Sequence, residues 1–282
     1  MSSSVLITGA STGIGAACAL ALDQRGYRVF AGVRRAADGE ALRQHASPQL
    51  TPLLLDVTDA ASIAEAARLL RDQAGSGVLA GLVNNAGIAV AGPLEFVSPE
   101  RLRQQFEVNV VGVLAVTQAL LPSLRRGPGR IVNISSVSGR LASPFVGPYC
   151  ASKFALEALS DSLRVELSPW RIPVSVVEPG VINTPIWQKS LAANASVLDE
   201  MPAESRALYG REVAAMQQFA RSAKGLAPEA VARVVVRALT AARPRTRYVV
   251  GIDARVGVLL SRLPDRVRDW LLLNRLRQLG KS

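Results

Sequence analysis

Two side chains of complementary chemistry stand four residues apart in Tyr149-Cys-Ala-Ser-Lys153, within apolar spacing that predicts a helix. Residues four apart on a helix share a face, about one turn from each other. A free tyrosine has a pKa of about 10, and a nearby ammonium stabilises the phenolate, so the phenol becomes a usable acid and base. Ser136 ends a predicted strand and is placed to hydrogen-bond a carbonyl oxygen. These three residues predict proton transfer to and from a carbonyl oxygen.

Other catalytic chemistries have little support in the sequence. The one histidine, His45, lies in a polar segment far from the predicted strand ends, which disfavours a Ser-His-Asp mechanism. No cluster of cysteine and histidine predicts a metal site. A tyrosine and a lysine at this spacing are by themselves most often an exposed helix face. The elements around the pair must therefore decide what it does.

Short β-rich runs alternate with longer helical patterns along the chain, which is typical of βαβ units and a parallel sheet. We predict seven strands, over 4–8, 28–32, 50–57, 79–85, 129–135, 174–180 and 247–252. Helical spacing covers 13–25, 38–46, 59–74, 101–126, 149–168 and 228–242. No linker or repeat interrupts the series. The sequence therefore predicts an α/β fold with a single domain over residues 1–282.

A glycine-rich turn follows the first predicted strand. In "TGASTGIG", Gly9, Gly13 and Gly15 stand where the backbone can approach a pyrophosphate and a helix can aim its N–H groups at it. The spacing is G-x-x-x-G-x-G rather than G-x-G-x-x-G. The alternative is a tight connection between a strand and a helix. The place of the glycine-rich turn in a βαβ unit favours a dinucleotide site.

The end of the second predicted strand should meet the adenosine ribose. An acidic residue there favours NAD, and an arginine accommodates the 2′-phosphate of NADP. Arg34 and Arg35 follow the strand, and no acid stands at its tip. NADP(H) is therefore favoured, with Arg34 as the stronger candidate and NAD(H) left open. Both arginines could instead be ordinary surface charge.

Later strand ends complete the predicted cofactor cleft. Asp56 and Val57 end the third strand, where a short polar side chain and adjacent backbone could hold the adenine. In "NNAG" (84–87), after the fourth strand, we expect the Asn84 side chain to bond backbone across the cleft.

Composition bounds the class of protein. The chain has 282 residues, of which 49% are hydrophobic, so it can bury a large core. Its two cysteines indicate no disulfide framework and favour a reducing compartment. No basic leader precedes the first strand, and no apolar run reaches the ~18 residues of a membrane span. We therefore expect a soluble, cytoplasmic protein. A net charge of +11 suits nucleic acid, an anionic membrane or an anionic ligand.

Six motifs occur in an order that resembles the short-chain dehydrogenase/reductase family, particularly its hydroxysteroid and retinol dehydrogenases. They are "TGASTGIG", "LVNNAG", "NVVG", "NISS", "YCASK" and "EPGVINT", within residues 4–185. The resemblance implies one doubly wound Rossmann domain with a seven-stranded parallel sheet and helices on both faces. It also implies an NAD(P)-dependent oxidoreductase.

The resemblance further implies roles for particular residues. Asn109 matches the asparagine that anchors a water in the proton relay, Ser136 the serine that orients the substrate, and Tyr149 the general acid/base. Lys153 matches the residue that lowers the tyrosine pKa and holds the nicotinamide ribose. Because Ser135 adjoins Ser136, that assignment rests on spacing.

A larger set of residues is implied in cofactor binding. The backbone of Val181 or Ile182 would meet the carboxamide, after a turn that faces the nicotinamide. Thr12 departs from many NADP-preferring members, which carry a basic residue just before the middle glycine. The full set comprises Gly9, Ser11, Gly13, Ile14, Gly15, Arg34, Arg35, Asp56, Val57, Asn85, Ala86, Gly87, Tyr149, Lys153, Pro179, Gly180, Ile182 and Thr184.

Segments outside the motifs should wall the substrate. They are the loop 138–148 and a helical lid over about 185–226. Either the apolar residues of the lid pack it onto the body, or they line a pocket for a lipid-like ketone, alcohol or aldehyde. These residues are Trp187, Leu191, Leu198, Met201, Leu208, Tyr209, Met216 and Phe219.

The segment 253–282 mixes arginines with apolar residues and predicts a basic amphipathic helix. It could rest on an anionic membrane, cover the site, contact another subunit or dock on its own domain. The family resemblance implies a homo-oligomer, a dimer or tetramer, through the helices that carry Asn109 and Tyr149.

The sequence thus predicts an NADP-dependent oxidoreductase that moves hydride between nicotinamide and a carbonyl or secondary alcohol, on a bulky apolar steroid-, retinoid- or lipid-like substrate. The alternatives are a reductase of small ketones or aldehydes and a non-catalytic NADPH-binding regulator. A basic scaffold for membrane or nucleic acid rests on the late arginines alone, and we predict no nucleic-acid partner. Sugar epimerases and dehydratases are usually longer and use another glycine spacing.

Overall fold

The computed structural model of the protein describes residues 3–73, 78–186, 203–222 and 225–279. Its strands are β1 Ser4–Ile7, β2 Arg28–Val33, β3 Leu50–Leu54, β4 Gly81–Asn84, β5 Ile131–Ile134, β6 Val174–Pro179 and β7 Arg247–Val250. Its α-helices are α1 Gly13–Asp23, α2 Ala36–Arg43, α3 Ala60–Gln73, α4 Pro99–Phe106, α5 Gly112–Arg125, α6 Gly147–Glu166, α7 Ala203–Ser222, α8 Pro228–Thr240, α9 Ile252–Leu260 and α10 Asp265–Leu279.

The strands form one seven-stranded parallel sheet in the order β3-β2-β1-β4-β5-β6-β7. Val5 of β1 pairs with Val29 on one side and with Gly81 on the other. The chain therefore grows outward from β1 in one direction and then in the other. This confirms the predicted α/β fold and the doubly wound Rossmann sheet, and it places a topological switch point between β1 and β4.

Each face of the sheet carries its own layer of buried side chains, because successive residues of a strand point to opposite faces. Val5 and Ile7 face the layer formed with α1 and α8, where Cys18 and Val235 are fully buried. Leu6 faces the other layer, which is formed with α3 and α5 and contains Leu70 of α3 and Leu120 of α5. The two layers fix the sheet, so that the carboxyl ends of its strands form a rigid edge.

Several boundaries differ from the sequence prediction by a few residues, and three differences change how elements are divided or where they end. The helix expected over 101–126 is divided by a π-helical turn, Glu107–Val111, between α4 and α5. The third strand ends at Leu54 rather than at 57. After β7 the chain forms α9, a separate helix that the sequence analysis did not identify.

One helical stretch changes the expectation about membrane spans. Among the described residues, the stretch Pro99–Arg125 is long and apolar enough to cross a bilayer, with a mean hydropathy of 1.4 in its most apolar window. In the structure 44% of that window is buried, and α5 packs on the sheet in the α3 layer. Core helices of water-soluble proteins meet the same criterion, so the stretch is weak support for a span.

Candidate active site

The candidate site lies at the carboxyl edge of the sheet, beside the switch point. The glycine turn follows β1, the NNAG segment follows β4, Ser136 follows β5 and the Pro179–Gly180 turn follows β6. Open parallel sheets bind their ligands in this crevice. Because β1, β4, β5 and β6 are adjacent in the sheet, four distant parts of the sequence come together at this edge.

The glycine turn has a backbone that other residues would obstruct. Gly9 and Gly13 have φ of +64° and +59°, a region that favours glycine. A Cβ on Gly9 would lie 2.8 Å from the Cα of Ala86, and one on Gly13 would lie 3.0 Å from the Cγ2 of Thr184. A Cβ on Gly15 would strike the carbonyl oxygen of Gly9.

The first turn of α1 carries no acidic residue, and the Thr12 side chain does not cap the helix. Ser11 and Ile14, which complete the implied glycine-turn set, are both partly exposed there. The helix N–H groups at this end favour an anion. A tight turn beside an uncapped, acid-free helix start fits the pyrophosphate of a dinucleotide.

The NNAG segment is tied to the glycine turn by Asn85. Its Nδ2 donates to the carbonyl oxygens of Thr8 and Gly9, each at 3.0 Å. The backbone N–H groups of Asn85 and Ala86 donate to Thr8 Oγ1 at 3.0 and 2.9 Å. Together with half-buried Gly87, which follows Ala86, they form one wall of the cleft.

The expectation that Asn84 bonds backbone across the cleft is wrong. Its Nδ2 donates to Thr117 Oγ1 at 3.0 Å and to Asn133 Oδ1 at 2.9 Å, inside the fold. Asn84 is the last residue of β4 and still follows the strand alternation, so its side chain points into the α5 layer. Asn85, one residue later, points the other way and makes the bond predicted for its neighbour.

The two arginines after β2 have different surroundings. Arg35 is engaged by Asp38 on α2, with Nε to Oδ2 at 2.9 Å and Nη2 to Oδ1 at 2.8 Å. Arg34 is exposed beside Asp56. Hydrogen bonds from Thr58 hold the pKa of Asp56 below its usual value, and the charge of Arg34 lowers it further. Val57, the next residue, is buried.

Tyr149 and Ser136 form the centre of the predicted chemistry. Tyr149 is only 7% exposed, and its hydroxyl is hydrogen-bonded with the Ser136 side chain. Ser136 Oγ also donates to the Pro179 carbonyl oxygen at 3.5 Å and accepts from Ser138 N at 3.1 Å. Ser135 Oγ is buried with no partner among the described residues and faces Gly139. The geometry therefore favours Ser136, as spacing did.

Lys153 lies one turn further along α6 and is 6% exposed. Its Nζ donates to the Ile134 carbonyl oxygen at 2.8 Å and lies 5.7 Å from the centroid of the Tyr149 ring. An ammonium over the face of an aromatic ring is electrostatically favourable. The lysine is thus held between the end of β5 and the tyrosine.

Burial dominates the ionisation of both groups. It raises the pKa of Tyr149 to about 12, although the hydrogen bond with Ser136 lowers it. It lowers the pKa of Lys153 to about 8, while the charge of Glu157 raises it. Tyr149 is therefore a protonated phenol at neutral pH in this structure, and the lysine does not depress its pKa below the ordinary value. A protonated phenol suits proton donation to a carbonyl oxygen.

Asn109 lies in the middle of the π-helical turn and is almost fully buried. Its Nδ2 donates to the Ile88 carbonyl oxygen at 3.1 Å, and its Oδ1 accepts from Ile88 N at 2.9 Å. It also donates to Ser152 Oγ at 3.2 Å. A π turn shifts the register of a helix and often marks a functional site.

Sequence analysis missed two neutral residues in the same network. Gln105 is fully buried, accepts from Val90 N at 2.7 Å and donates to the Ile88 carbonyl oxygen at 2.9 Å. Ser152 accepts from Gln105 and donates to the Tyr149 carbonyl oxygen at 2.7 Å. The network locks the start of α6, which carries Tyr149, to the chain after β4. The signal available in the sequence was a second amide side chain one helical turn before Asn109.

A third missed residue is Asp253, at the start of α9. Its Oδ2 accepts from Val181 N at 2.6 Å, and a Cβ on Gly180 would collide with its carboxylate. Ile182 is buried and forms a β-bridge with Leu226. Asp253 and Leu226 therefore hold the Pro179–Gly180 turn against the cleft, and the turn presents Thr184 to Gly13.

The described part of the predicted lid is α7. Tyr209 of α7 donates to Glu95 Oε2 at 2.7 Å and makes edge-to-face contacts with Phe96 and Phe145, with centroids 5.9 and 6.3 Å apart. Leu208 is exposed. Trp187, Leu191, Leu198 and Met201 lie outside the described residues, as do the side chains of Met216 and Phe219.

The chain matches the family model for short chain dehydrogenase over residues 3–195. Retinol dehydrogenase 5 of Mus musculus is 39% identical over 95% of this chain and 88% of its own length. The 17-beta-hydroxysteroid dehydrogenase type 6 of Bos taurus is 40% identical over 95% and 87%.

Two solved structures share the fold. A short chain dehydrogenase from Burkholderia cenocepacia in complex with NADP has a TM-score of 0.73 and 28% identity, covering 98% of this chain and 97% of its own. A short-chain dehydrogenase/reductase from Burkholderia phymatum in complex with NAD has a TM-score of 0.77 and 26% identity, covering 92% of both chains.

Proposed function

Because the chain belongs to the short-chain dehydrogenase family, it is an NAD(P)-dependent oxidoreductase, and we propose that it uses NADP(H) on a bulky apolar carbonyl or alcohol. The observation that carries this proposal is the contact of Ser136, Tyr149 and Lys153 at the sheet edge that also holds the glycine turn. A proton-transfer group and a dinucleotide cradle share one crevice.

The residues of the site supply positioning and the proton. The glycine turn and Lys153 would hold the dinucleotide, and its nicotinamide would supply hydride transfer to a carbonyl carbon or from a carbinol carbon. Ser136 hydrogen-bonds the substrate oxygen, and the Tyr149 hydroxyl donates its proton to that oxygen during reduction. In oxidation the tyrosinate removes the alcohol proton. Lys153, held by Ile134, stabilises the negative charge on Tyr149 in either direction.

The preference for NADP(H) rests on the end of β2. Arg34 is exposed there, whereas Arg35 is engaged by Asp38. Asp56, which follows the adjacent strand β3, is close enough for the charge of Arg34 to act on it, and the tip of β2 itself carries no acidic residue. A guanidinium in this position fits a 2′-phosphate better than a free ribose hydroxyl.

The substrate class is supported by two observations. The named relatives are a retinol dehydrogenase and a hydroxysteroid dehydrogenase, whose names specify large apolar alcohols. In this chain the aromatic cluster Phe96, Phe145 and Tyr209 joins the lid helix to the loops that precede α4 and α6. We infer that this apolar wall contacts the body of the substrate.

A substrate screen tests this proposal. With NADPH as donor, we expect retinaldehyde and ketosteroids to be reduced with kcat/KM at least about tenfold above acetone-sized ketones, because an apolar wall gains affinity with buried area. Absorbance at the NADPH band measures the rate. Faster turnover of the small ketones would replace the substrate proposal with the small-carbonyl alternative. NADPH binding without turnover of any carbonyl would indicate the regulator.

We further propose peripheral contact with an anionic membrane, through α9 rather than through an amphipathic α10. Ile252, Val256 and Leu259 share one face of α9 and are 79%, 50% and 65% exposed. Arg255 lies on the same helix, and Arg262 and Arg266 follow it in the chain; all three arginines are exposed. Apolar side chains flanked by cations are typical of interfacial helices.

The expected amphipathic pattern of α10 is wrong. Val267, Trp270 and Leu273 are exposed, and Leu271, Leu272 and Leu276 are partly buried. By helical spacing, Val267, Trp270 and Leu271 lie on one side of the helix, and Leu272, Leu273 and Leu276 lie on the opposite side. Its apolar residues therefore surround the helix instead of forming one face.

Replacing Ile252, Val256 and Leu259 together by serine should reduce binding to vesicles that contain phosphatidylserine by about tenfold or more, because three buried side chains are lost. Flotation with phosphatidylserine-containing and pure phosphatidylcholine vesicles, at low and high salt, measures the binding. The matched control replaces exposed Leu54, at the end of β3, by serine. Equal flotation of the triple variant and this control would overturn the membrane proposal.

Two further proposals concern assembly and compartment. The outer surfaces of the Asn109 and Tyr149 helices expose Leu102, Val111 and Phe154, which supports a homo-oligomer through these helices. Cys18 and Cys150 are both free and buried, in keeping with the proposed reducing, cytoplasmic environment.

A further inference from the structure

A buried carboxylate follows Lys153 by one helical turn. Glu157 is 6% exposed and stands at i+4 from Lys153, so both side chains leave the same face of α6. Gly139 packs against both residues: a Cβ there would lie 3.0 Å from the Lys153 carbonyl oxygen and 3.1 Å from Glu157 Cγ. Tyr149 precedes Lys153 by four residues and Glu157 follows it by four, so the two lie on opposite sides of the lysine along α6.

The two oxygens of Glu157 differ. Oε2 accepts a hydrogen bond from Arg247 at 3.1 Å, and Oε1 is buried without a hydrogen-bond partner among the described residues. A carboxylate oxygen left unpaired in the interior is costly. One oxygen therefore anchors Glu157 to Arg247. The other oxygen carries part of the carboxylate charge without a hydrogen bond.

Other charged groups face the pair from each neighbouring element. Arg247 on β7 also contacts Glu178 on β6, at 3.1 Å, and Asp161 on α6, at 2.8 Å. Arg140, before α6, lies 3.4 Å from Glu178. Toward the reaction centre the neighbouring titratable groups are Tyr149 and Cys150. Arg247 is thus shared by Glu157, Glu178 and Asp161, and Glu157 is the carboxylate whose charge acts on Lys153.

A buried ammonium needs compensation. Only one backbone carbonyl, that of Ile134, accepts a hydrogen bond from the Lys153 ammonium in the described structure. Burial favours the neutral amine, and a nearby negative charge opposes this. A neutral amine would stabilise a tyrosinate far less than an ammonium does, because the stabilisation comes from the attraction between opposite charges.

We propose that Glu157 is a positioning residue that keeps Lys153 in its ammonium form for the reaction at Tyr149. This inference rests on the proposed function for its catalytic consequence. Glu157 acts through Lys153 and does not touch the substrate. The competing interpretation is purely structural, in which Glu157 only helps Arg247 to join α6 to β7.

Replacing Glu157 by glutamine tests the proposal, since glutamine keeps the size and removes the charge. In carbonyl reduction, kcat/KM should fall above the pH at which Lys153 loses its proton, near 8 in the wild type. In Glu157→Gln this alkaline limb should move to lower pH by roughly one to two units, with little loss at acidic pH. The control Asp161→Asn removes another carboxylate from Arg247 and should leave the limb in place.

A second measurement does not depend on turnover. A lysine whose pKa is lower in the folded than in the unfolded state binds fewer protons when folded, so the free energy of unfolding rises with pH between the two values. In urea titrations this rise should begin near pH 8 in the wild type and at lower pH in Glu157→Gln. Glu157→Asp, which restores the charge, should return both profiles toward the wild type.

The outcomes separate the two proposals. If the wild type is inactive, the proposed function is overturned. If the unfolding profile of Glu157→Gln is still shifted relative to the wild type, the link between Glu157 and Lys153 is supported. Unchanged onsets in both profiles, with equal loss of stability in Glu157→Gln and Asp161→Asn, would show that the role of Glu157 is structural only.

Discussion

Replacement of Tyr149 by phenylalanine is expected to lower kcat by about 10²- to 10⁴-fold, because the substitution removes the group that transfers the proton. The ring and its packing stay, so the Lys153 ammonium keeps its position over the aromatic face. The dissociation constant of NADPH should change by no more than about twofold. The glycine turn and the Asn85 contacts that form the cofactor cleft do not involve the phenol hydroxyl.

The measurement combines single-turnover reduction with a titration of NADPH fluorescence. Tyr27→Phe is the matched control, because Tyr27 packs on the α1 layer away from the cleft and loses the same hydroxyl. Activity of Tyr149→Phe equal to that of Tyr27→Phe would refute the proton-transfer assignment. A parallel loss of NADPH affinity would show instead that the substitution damages the cofactor site.

The fold was predictable because its signals are local and repeated. Each strand is a short apolar run, and each is followed by helical spacing, so the period of the pattern alone distinguishes the elements. Right-handed crossovers then restrict the possible topologies, but they do not fix the switch point at which the chain returns from β3 past β2 and β1 to β4. The π turn at Asn109 has no such signal, since its residues also fit a continuous helix.

Side-chain direction explains the error at the end of β4. Asn84 and Asn85 have identical side chains, and the residue at which β4 ends decides which of the two faces the cleft. Sequence patterns locate strand ends to within a few residues, whereas a shift of one residue reverses the face. The glycine turn escaped this uncertainty because its backbone, rather than a side chain, forms the cradle.

Contacts between distant segments could not be predicted from local pattern. Asp253 reaches the Pro179–Gly180 turn from beyond β7, and Gln105, a neutral residue of α4, joins the segment after β4 to Ser152 of α6. The pKa of Tyr149 is a further example, since the spacing to Lys153 predicts a lowered value and burial raises it. Burial is a property of the assembled fold.

The second large effect is expected at Arg34. Replacing it by alanine should weaken NADPH binding by about 10- to 100-fold, because a charge-assisted contact to the 2′-phosphate is lost. NADH lacks that phosphate, so its affinity should change little. Asp56 would also lose its nearby positive charge, which makes the pocket less favourable for an anion. Both effects act against NADPH in the same direction.

Arg35→Ala is the matched control, since it removes the same charge from the neighbouring residue, whose guanidinium is already paired with Asp38. Fluorescence titration of both variants with NADPH and NADH gives four dissociation constants to compare with the wild type. The ratio of the NADPH to the NADH constant should rise in Arg34→Ala and stay constant in Arg35→Ala. Equal weakening of both cofactors in Arg34→Ala would assign Arg34 to general attraction of the pyrophosphate, and a larger change in Arg35→Ala would transfer the specificity to its neighbour.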